Sequence, residues 1–417
     1  MKAVILAAGK SSRFWPLNKK HKSLIKIIGK PIIYWTLLGL KKLKIDEIIL
    51  IQSPKKDIEK ELENYKIPGL KIKYLIQKEP KGMGNALWQA KDFLKERFLV
   101  LNAERVDIDK IVSKKEILSD SPLLIGQKTK NPQLYGIAKI EGKRILEIVE
   151  KPERGKEPSD IKIVGVYFLE PQFFNFYKKI KKHQYDFESA LSVYMKEKLV
   201  EIKILKKSEK ETLSLKYPWY LFEISKYLMD RYLKRKISKK AKIGKNVILE
   251  GKIQIEEGVK IFDGAVIKGP VYLGRDSIVG TNSLIRDYTN SENNVLIGAL
   301  AEVKNCIFQE NVHLHSGYFG DSIFGKNCKI GAGTITANLR LDRKEIKTKV
   351  KGKKINTGLK NFGVILGEDV KIGINCSLIP GIMIGSNSFI GPASLVKENI
   401  KNNTLFYSKF KEIKKDL

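Results

Sequence analysis

The sequence predicts a two-part fold, in which an α/β domain with a Rossmann-like sheet precedes a left-handed parallel β-helix of hexapeptide repeats. Two observations support this prediction. Short apolar strands alternate with amphipathic helices up to about residue 220, whereas an aliphatic residue followed by Gly recurs at six-residue spacing from about residue 241. The length of 417 residues fits two or three domains, at roughly 100–200 residues per domain.

The first half alternates strand and helix patterns. Buried strands are predicted at Val4–Ala7 and Ile48–Ile51, and further strands at Lys71–Ile76 and Phe98–Leu101. Helices are predicted at Pro31–Lys42, Asp57–Tyr65 and Gly84–Phe93. This alternation is typical of a parallel sheet with helices on both faces. A segment rich in Leu, Lys and Arg, Tyr220–Ile237, predicts a linking helix with a solvated basic face.

The second half follows a six-residue period. The aliphatic-Gly or Phe-Gly pairs are Ile243-Gly244, Leu273-Gly274, Val279-Gly280, Phe324-Gly325, Ile330-Gly331, Leu366-Gly367, Ile372-Gly373, Ile384-Gly385 and Ile390-Gly391. In a parallel β-helix the large side chain points into the coil, and we expect the small residue beside it to tolerate the corner backbone. A β-sandwich with glycine turns would not keep so strict a period. We therefore expect an α/β domain at 1–222, a linker helix at 223–240, the β-helix at 241–400 and a basic tail at 401–417.

The charge balance is strongly positive, with 79 Lys and Arg against 46 Asp and Glu, a net charge of +33. Three explanations compete: nucleic acid binding, anionic small-molecule ligands, or a Lys- and Ile-rich composition without a specific partner. Because lysine is spread along the whole chain, the compositional explanation is favoured, anionic ligands come second, and no nucleic acid partner is expected.

Membrane and secretion signals are not expected. No apolar run approaches the ~18 residues of a membrane span, and the run Ala3–Ala8 is too short for a signal-peptide core. The three cysteines, Cys306, Cys328 and Cys376, lack the spacing of a zinc site or a disulfide framework. These features favour a reducing, cytoplasmic location.

A first candidate site begins in the loop Gly9–Arg13, directly after a buried strand. Backbone N–H groups of such a loop can cradle an anion, and Arg13 and Lys22 add fixed positive charge. Nucleotidyl transfer depends mainly on charge neutralisation and positioning, which these residue types supply. A purely structural Gly-rich turn is the alternative.

A second candidate site lies in the β-helix, where two of the four histidines occur as His313 and His315. Histidine suits general-base catalysis near neutral pH, although a pair of surface histidines is an equally good explanation of the spacing alone. In a strand the two would share one face. The segment after residue 331 then interrupts the six-residue period with a basic insertion that carries Asn338, Lys344 and Lys347.

Two motifs carry a resemblance to a known family. The run LAAGKSSRFWPLNKKHKSLIKIIGKPI resembles the N-terminal signature of sugar-1-phosphate nucleotidyltransferases. Together with the hexapeptide repeats, the chain up to about residue 400 is similar to the archaeal form of the bifunctional uridylyltransferase/acetyltransferase family. The resemblance implies synthesis of a nucleotide sugar from UTP or dTTP and a sugar-1-phosphate, with Mg²⁺ as cofactor.

The resemblance also assigns roles in the first half. Arg13 and Lys22 would hold the triphosphate beside the loop that starts at Gly9, and Gln77 would pair with the pyrimidine base beside Gly82. Gly136, after Tyr135, and Glu150, before Lys151, would line the sugar-phosphate side.

Three positions depart from the family pattern in this half. Where the family has Gly-Asp after the fourth strand, this chain has Ala103-Glu104, so Glu104 would replace an aspartate as the metal ligand. The second metal carboxylate is replaced by Ser214, and a sugar-binding asparagine by Ile163. Asp107 is an alternative ligand after a shifted alignment. Because Mg²⁺ demands near-ideal octahedral oxygen geometry, these changes predict weak or absent nucleotidyl transfer.

The acetyltransferase half of the family is matched without departure. By this match His315 is the base, Tyr318 is its companion, and Asn338, Lys344 and Lys347 bind an amino-sugar-1-phosphate. Acetyl-CoA would lie along the rungs between Gly363 and Gly391, no metal would be needed for this step, and the protein would form a homotrimer.

Three functions therefore remain open. The favoured one is a bifunctional enzyme that acetylates an amino-sugar-1-phosphate and then transfers a nucleotidyl group. The first alternative is an acetyltransferase whose N-terminal domain is degenerate. The second is a non-enzymatic binding subunit, since the same two-domain plan resembles subunits of the translation-initiation exchange factor.

Overall fold

A computed structural model describes residues 1–183, 185–206, 212–411 and 413–415. The chain forms two compact units. The first comprises Met1–Lys10 and Pro31–Ser214, and the second comprises Ser11–Lys30 and Leu215–Leu417. The short segment Ser11–Lys30 therefore clusters with the C-terminal half, which the sequence analysis did not anticipate.

The first unit is built on a nine-stranded sheet. In spatial order its strands are Lys71–Ile76, Glu47–Gln52, Ala3–Ala7, Phe98–Asn102, Ile161–Leu169, Leu123–Lys128, Glu201–Leu205, Arg144–Glu150 and Gly136–Glu141. The first four run parallel, as predicted. The other five include antiparallel neighbours, because a hairpin such as the last pair needs only a short turn rather than a crossover. The sheet is mixed rather than wholly parallel.

The helices are mostly shorter than the sequence predicted. In the first unit they are Ile32–Lys42, Asp57–Leu62, Met83–Trp88, Ile108–Ile111, Lys114–Leu118, Phe173–Lys179 and Asp186–Glu197. In the second unit Leu221–Tyr232 forms the predicted helix between the two halves. It ends before residue 237 because Lys236–Ile237 already pairs as a strand with the β-helix.

Three stacks of short parallel strands make up the second unit. One stack contains Lys236–Ile237, Ile253–Ile255, Val271–Leu273, Thr289–Ser291, Ile307–Phe308, Ile323–Phe324, Ile365–Leu366 and Met383–Ile384. The next contains Lys242–Ile243, Lys260–Ile261, Ile278–Val279, Leu296–Ile297, His313–Leu314, Lys329–Ile330, Lys371–Ile372, Phe389–Ile390 and Leu405–Phe406. The third contains Ile248–Glu250, Val266–Lys268, Leu284–Arg286, Ala301–Lys304, Gly317–Gly320, Thr334–Thr336, Ser377–Leu378 and Leu395–Val396. Parallel stacking on three sides confirms the hexapeptide β-helix.

The interior of the coil contains the side chains that the six-residue period selects. Leu273, Val279, Phe324 and Leu366 are all fully buried. Ile243 is the exception at 42% exposure, because its strand is at the end of its stack and only one neighbouring rung covers it. Burial of such a side chain contributes about 1.5–3 kcal/mol relative to exposure, so the interior column is the main source of stability.

The reason for the repeated glycine differs from the expected one. None of the glycines in the aliphatic-Gly pairs has a positive φ. A methyl group added at Gly367 would instead lie 2.6 Å from the backbone nitrogen of Ser386 on the next rung. The glycine therefore permits close stacking of rungs, and the left-handed backbone falls two residues later, at positions such as Asp276, Asn327 and Asn387.

These corner residues also join successive rungs through their side chains. Asn294 Nδ2 donates to Asn311 Oδ1 at 3.1 Å, and Asn311 Nδ2 donates to Asn327 Oδ1 at 3.0 Å. Asn327 Nδ2 then donates to Asp369 Oδ1 at 2.9 Å. This chain of side-chain hydrogen bonds continues past the basic insertion. The corner of the coil therefore has the same geometry there, although 42 residues separate the paired Ile330 and Ile372.

The three cysteines lie in the interior of the protein. Cys306, Cys328 and Cys376 are free and buried, and burial raises the pKa of each thiol. Within the described ranges, none of the helices has the length and hydropathy to cross a bilayer.

One buried carboxyl links the β-helix to the segment Ser11–Lys30. Glu292 is 1% exposed, and its Oε1 accepts hydrogen bonds from Gly29 N at 3.2 Å and Asn290 Nδ2 at 2.9 Å. Burial raises the pKa of Glu292 from 4.5 to about 7, and the neighbouring charges of Glu310 and Lys26 act in opposite directions. Between about pH 4.5 and about pH 7, the folded protein therefore holds a proton at this carboxyl that the unfolded chain has released.

We predict that Glu292→Gln stabilises the protein at pH 8 but much less at pH 5. A raised pKa in the folded state gives stability that is present below about 4.5 and is lost as pH rises through about 7. Glutamine stays neutral throughout, so the difference in unfolding free energy should grow to about 3 kcal/mol. Denaturant titrations at both pH values measure it, with the exposed Glu250→Gln as control. A difference independent of pH would contradict the prediction.

Candidate functional site

The predicted phosphate-binding residues do not all belong to the same unit. Gly9 follows the strand Ala3–Ala7 in the first unit, and nothing lies within 4 Å of the place where its Cβ would be. Arg13 belongs to the second unit and is exposed on the turn Ser12–Phe14. Lys22, also in the second unit, donates from Nζ to the carbonyl oxygen of Leu215 at 2.9 Å. Arg13 is therefore open to an anion.

Gln77 directly follows the strand Lys71–Ile76, and hydrogen bonds hold its side-chain amide in one orientation. It is 4% exposed, and its Nε2 donates to Gly82 O at 3.1 Å and to Asn85 Oδ1 at 2.9 Å. Gly82 precedes the helix Met83–Trp88 with a φ of 108°, a conformation that favours glycine. These bonds fix the amide orientation, as the predicted reading of a pyrimidine edge requires.

Gly136 and Glu150 are brought together by a hairpin. The two residues pair directly across the strands, and a methyl group at Gly136 would lie 2.9 Å from Glu150 Oε2. Lys151 Nζ lies 3.4 Å from Glu150 Oε1. The hairpin thus places a carboxylate and an ammonium group beside a glycine that leaves room on the strand.

The segment after Phe98–Asn102 contains a buried arginine that the sequence analysis did not consider. Arg105 is 7% exposed and donates to Val164 O at 2.7 Å and to Leu213 O at 2.8 Å. Its Nη1 also lies 3.4 Å from Asp107 Oδ1, and Asp107 Oδ2 accepts from Leu213 N at 3.1 Å. Both oxygens of Asp107 are therefore engaged inside the protein.

The donor set does not fit the magnesium ion that the resemblance implies. Glu104 is 8% exposed, Asp107 is paired with Arg105, and Ser214 offers a neutral oxygen. Among the described residues, no three His, Cys, Asp or Glu side chains are grouped so that they could hold a metal. The nearby guanidinium also adds positive charge where a divalent cation would need negative charge. Ile163 packs partly buried against the apolar core and offers no hydrogen bond to a sugar.

His315 lies just beyond the strand His313–Leu314 rather than within it. It is exposed, and its backbone N–H donates to Ile330 O at 3.1 Å. His313 is half-buried, and burial together with the positive charges of Lys329 and His315 lowers its pKa. Of the two histidines, His315 is therefore the more accessible to solvent and to a ligand.

Tyr318 and Asn338 converge beside a buried carboxylate. A methyl group at Gly320 would lie 2.6 Å from the Tyr318 hydroxyl and 2.7 Å from Asn338 Nδ2. Asn338 Nδ2 also donates to Asp321 Oδ2 at 2.5 Å. Burial raises the pKa of Tyr318, and the negative charges of Asp321 and Glu302 add to the shift, so the phenol stays protonated and can donate. The structure therefore brings together two of the predicted residues.

The remaining predicted residues of this half are not joined to that cluster. Lys344 and Lys347 are exposed in the insertion, and no hydrogen bond or ion pair within the described residues connects them to His315, Tyr318 or Asn338. Gly363 N donates to Asp321 O at 2.8 Å, and Gly391 N donates to Phe406 O at 2.7 Å. The backbone N–H groups of both glycines are therefore hydrogen-bonded within the coil. Their contact with acetyl-CoA stays a prediction.

A column of basic residues beside Tyr318 was missed. Lys268, Arg286 and Lys304 pair in register on successive rungs, and Glu302 pairs with Tyr318. Arg286 Nη2 bonds Glu302 Oε1 at 2.7 Å, and Lys304 Nζ lies 3.4 Å from Asp321 Oδ2. Their spacing of 18 residues, one rung, is the sequence signal that could have found them.

The two units thus combine a nucleotidyltransferase-type sheet with a hexapeptide coil that carries a polar cluster. Residues 2–220 match the nucleotidyl transferase family, and residues 363–398 match the family described as bacterial transferase hexapeptide, six repeats. These matches define the class of protein as a transferase that combines a nucleotidyltransferase domain with a hexapeptide-repeat domain.

Full-length relatives make the family more specific. The bifunctional protein GlmU of Methanocaldococcus jannaschii is 35% identical, and the match covers 98% of each chain. GlmU of Methanococcus maripaludis is 34% identical with the same coverage. The bifunctional sugar-1-phosphate nucleotidylyltransferase/acetyltransferase of Sulfurisphaera tokodaii is 32% identical over 97% of this chain and 100% of that protein. The chain belongs to this family of bifunctional nucleotidyltransferase and acetyltransferase enzymes, which confirms the resemblance and disfavours the non-enzymatic alternative.

Proposed function

We propose that the protein acetylates glucosamine-1-phosphate, or its galacto epimer, with acetyl-CoA and then transfers a nucleotidyl group from UTP or dTTP to the product. The products are CoA, pyrophosphate and a nucleotide sugar. The observation that carries the proposal is the cluster of Tyr318, Asn338 and Asp321, close in sequence to the accessible His315. The proposal includes a cytoplasmic location, which the three free, buried cysteines support, since free thiols are typical of a reducing compartment.

Acetyl transfer uses the polar groups of the β-helix. His315 takes a proton from the amino group of the sugar, and the nitrogen then attacks the thioester carbonyl carbon. The C–S bond breaks and CoA leaves as a thiolate that acquires a proton. The Tyr318 hydroxyl or a backbone N–H stabilises the developing oxyanion. Lys344 and Lys347 neutralise the sugar phosphate.

Nucleotidyl transfer uses the first candidate site. An oxygen of the sugar phosphate attacks the α-phosphorus of the nucleotide, and pyrophosphate leaves. Arg13 and Lys22 neutralise the phosphates, Gln77 orients the base, and Gly136 and Glu150 border the sugar. Because the described residues do not fit a metal ion, we propose that this half turns over slowly. Acetyl transfer alone is the second candidate function, and Arg105 paired with Asp107 is the observation that favours it.

We further propose that the β-helix assembles as a homotrimer. The coil has large apolar side chains on its surface. Ile335, Ile374 and Leu395 are 46%, 53% and 42% exposed, and a monomer would leave them in contact with water. Ile335 and Leu395 lie in the same stack of strands, both paired with Ser377. A closed cyclic assembly would bury such a column in every protomer.

We predict that His315→Ala slows acetyl transfer by ~10²–10⁴-fold, the usual contribution of a general base. The thermal unfolding midpoint should be unchanged, since the side chain is exposed. CoA release is measured with a thiol reagent, and His313→Ala serves as the control. Near-wild-type turnover of His315→Ala would show that another base acts.

We predict slow pyrophosphate release by the wild-type protein with UTP or dTTP in buffer containing Mg²⁺. The double variant Glu104→Asp/Ser214→Asp should gain at least about tenfold, equivalent to about 1.4 kcal/mol of barrier. Glu104→Asp/Ser214→Asn keeps the shape without the second charge and should gain little. Fast wild-type turnover that neither variant changes would contradict the assignment of these positions.

We predict a mass in solution of about three times the 47.5 kDa chain, measured by light scattering. Ile335→Lys combined with Leu395→Lys should shift that mass toward a single chain, because two charges would be buried at each contact. A wild-type mass of one chain would refute the trimer.

A further inference from the structure

Backbone groups at the end of the segment Ser11–Lys30 are hydrogen-bonded to polar side chains of the β-helix. Lys26 N–H donates to Gln309 Oε1 at 3.0 Å, and Gln309 Nε2 donates to the carbonyl oxygen of Lys26 at 3.0 Å. Lys26 is 8% exposed and Gln309 is 2% exposed. One side-chain amide therefore satisfies both backbone groups of one residue, away from water.

Two further polar side chains of the coil continue this pairing. Asn290 Oδ1 accepts from Ile28 N at 2.8 Å, and Glu292 Oε1 accepts from Gly29 N at 3.2 Å. Asn290 and Glu292 are 0% and 1% exposed. A buried polar group without a partner is costly, so these side chains and the segment depend on one another.

A charge pair and a close contact fix the same stretch. Lys26 Nζ lies 2.5 Å from Glu310 Oε1, and Lys326 forms a second ion pair with Glu310. Burial alone would raise the pKa of Glu310, but the hydrogen bonds from the two lysines lower it, so the carboxylate is charged. At Gly29, where φ is 69°, a methyl group would lie 2.5 Å from the Tyr272 hydroxyl.

We infer that Asn290, Glu292, Gln309 and Glu310 are positioning residues for nucleotidyl transfer, although they belong to the acetyltransferase half. They act through the segment that carries Arg13 and Lys22, the predicted phosphate-binding residues. The inference rests on the proposed function of that segment. Loss of the pairing would let both cations shift, and a displacement of about 1 Å can cost about 10²-fold in rate. The residues proposed for acetyl transfer, His315, Tyr318 and Asn338, are outside this segment, so acetyl transfer should be unaffected.

The test compares graded variants at Gln309 in the full-length protein. Gln309→Met removes both hydrogen bonds at similar volume, and Gln309→Glu keeps an acceptor for Lys26 N–H but loses the donor. Pyrophosphate release should fall by about 10- to 100-fold in Gln309→Met and by less in Gln309→Glu. CoA release by the same preparations should stay within about twofold. Glu368→Gln is the matched control, since it weakens a partly exposed ion pair with Lys19 of the same segment, in which Lys19 Nζ and Glu368 Oε2 are 3.1 Å apart.

Hydrogen exchange at the amides of Lys26, Ile28 and Gly29 reports directly on the pairing and should accelerate in Gln309→Met. Faster exchange with unchanged pyrophosphate release would overturn the inference while leaving nucleotidyl transfer in place. A parallel loss of acetyl transfer would overturn it by showing a general folding defect. A wild-type protein that neither releases pyrophosphate nor binds UTP would refute the nucleotidyl function itself, and the inference with it.

Discussion

Close stacking of the rungs is the constraint on which the second unit depends. The backbone of one rung approaches the corner of the next so closely that Gly367, facing Ser386 N, has no space for a Cβ. The corner then turns through left-handed residues such as Asn327 and Asp369, whose side chains bond along the coil. Because this geometry repeats, the register is fixed, and every outward side chain belongs to a column of known neighbours.

The polar cluster of the β-helix is a product of that register. Tyr318 pairs with Glu302, and Gly320 pairs with Lys304, so an acid and a base from one rung flank the phenol of the next. Asn338 reaches the same point from the start of the insertion, where Gly320 leaves space for its amide. No single rung holds the site. Its chemistry comes from stacking residues that are one turn of the coil apart, while the insertion lengthens one turn without disturbing the pairing of Ile330 with Ile372.

The sequence predicted what is local or periodic, and it missed what depends on distant pairing. The six-residue period identified the buried column, and apolar runs identified the first four strands. Nothing local shows that Asn290, Glu292 and Gln309 are buried, because polar residues at outward positions normally face water. These side chains are hydrogen-bonded to the backbone of Lys26–Gly29, which lies more than 250 residues earlier in the chain and packs against them. The burial of Arg105 could not be predicted for the same reason, because its hydrogen-bond partners Val164 and Leu213 are remote in sequence.

These long-range contacts bear on how two activities share one chain. Part of the nucleotidyltransferase signature, the segment Ser11–Lys30, belongs to the same compact unit as the coil. Here the segment is paired with the coil through buried groups, and at least one of them, Glu292, has a raised pKa near neutrality. Deprotonation of that carboxyl would place a second negative charge near Glu310, and Lys26 is the cation that faces both. The strength of the attachment therefore depends on the charge state of one buried group, whereas the cluster at Tyr318 contains no member of this network.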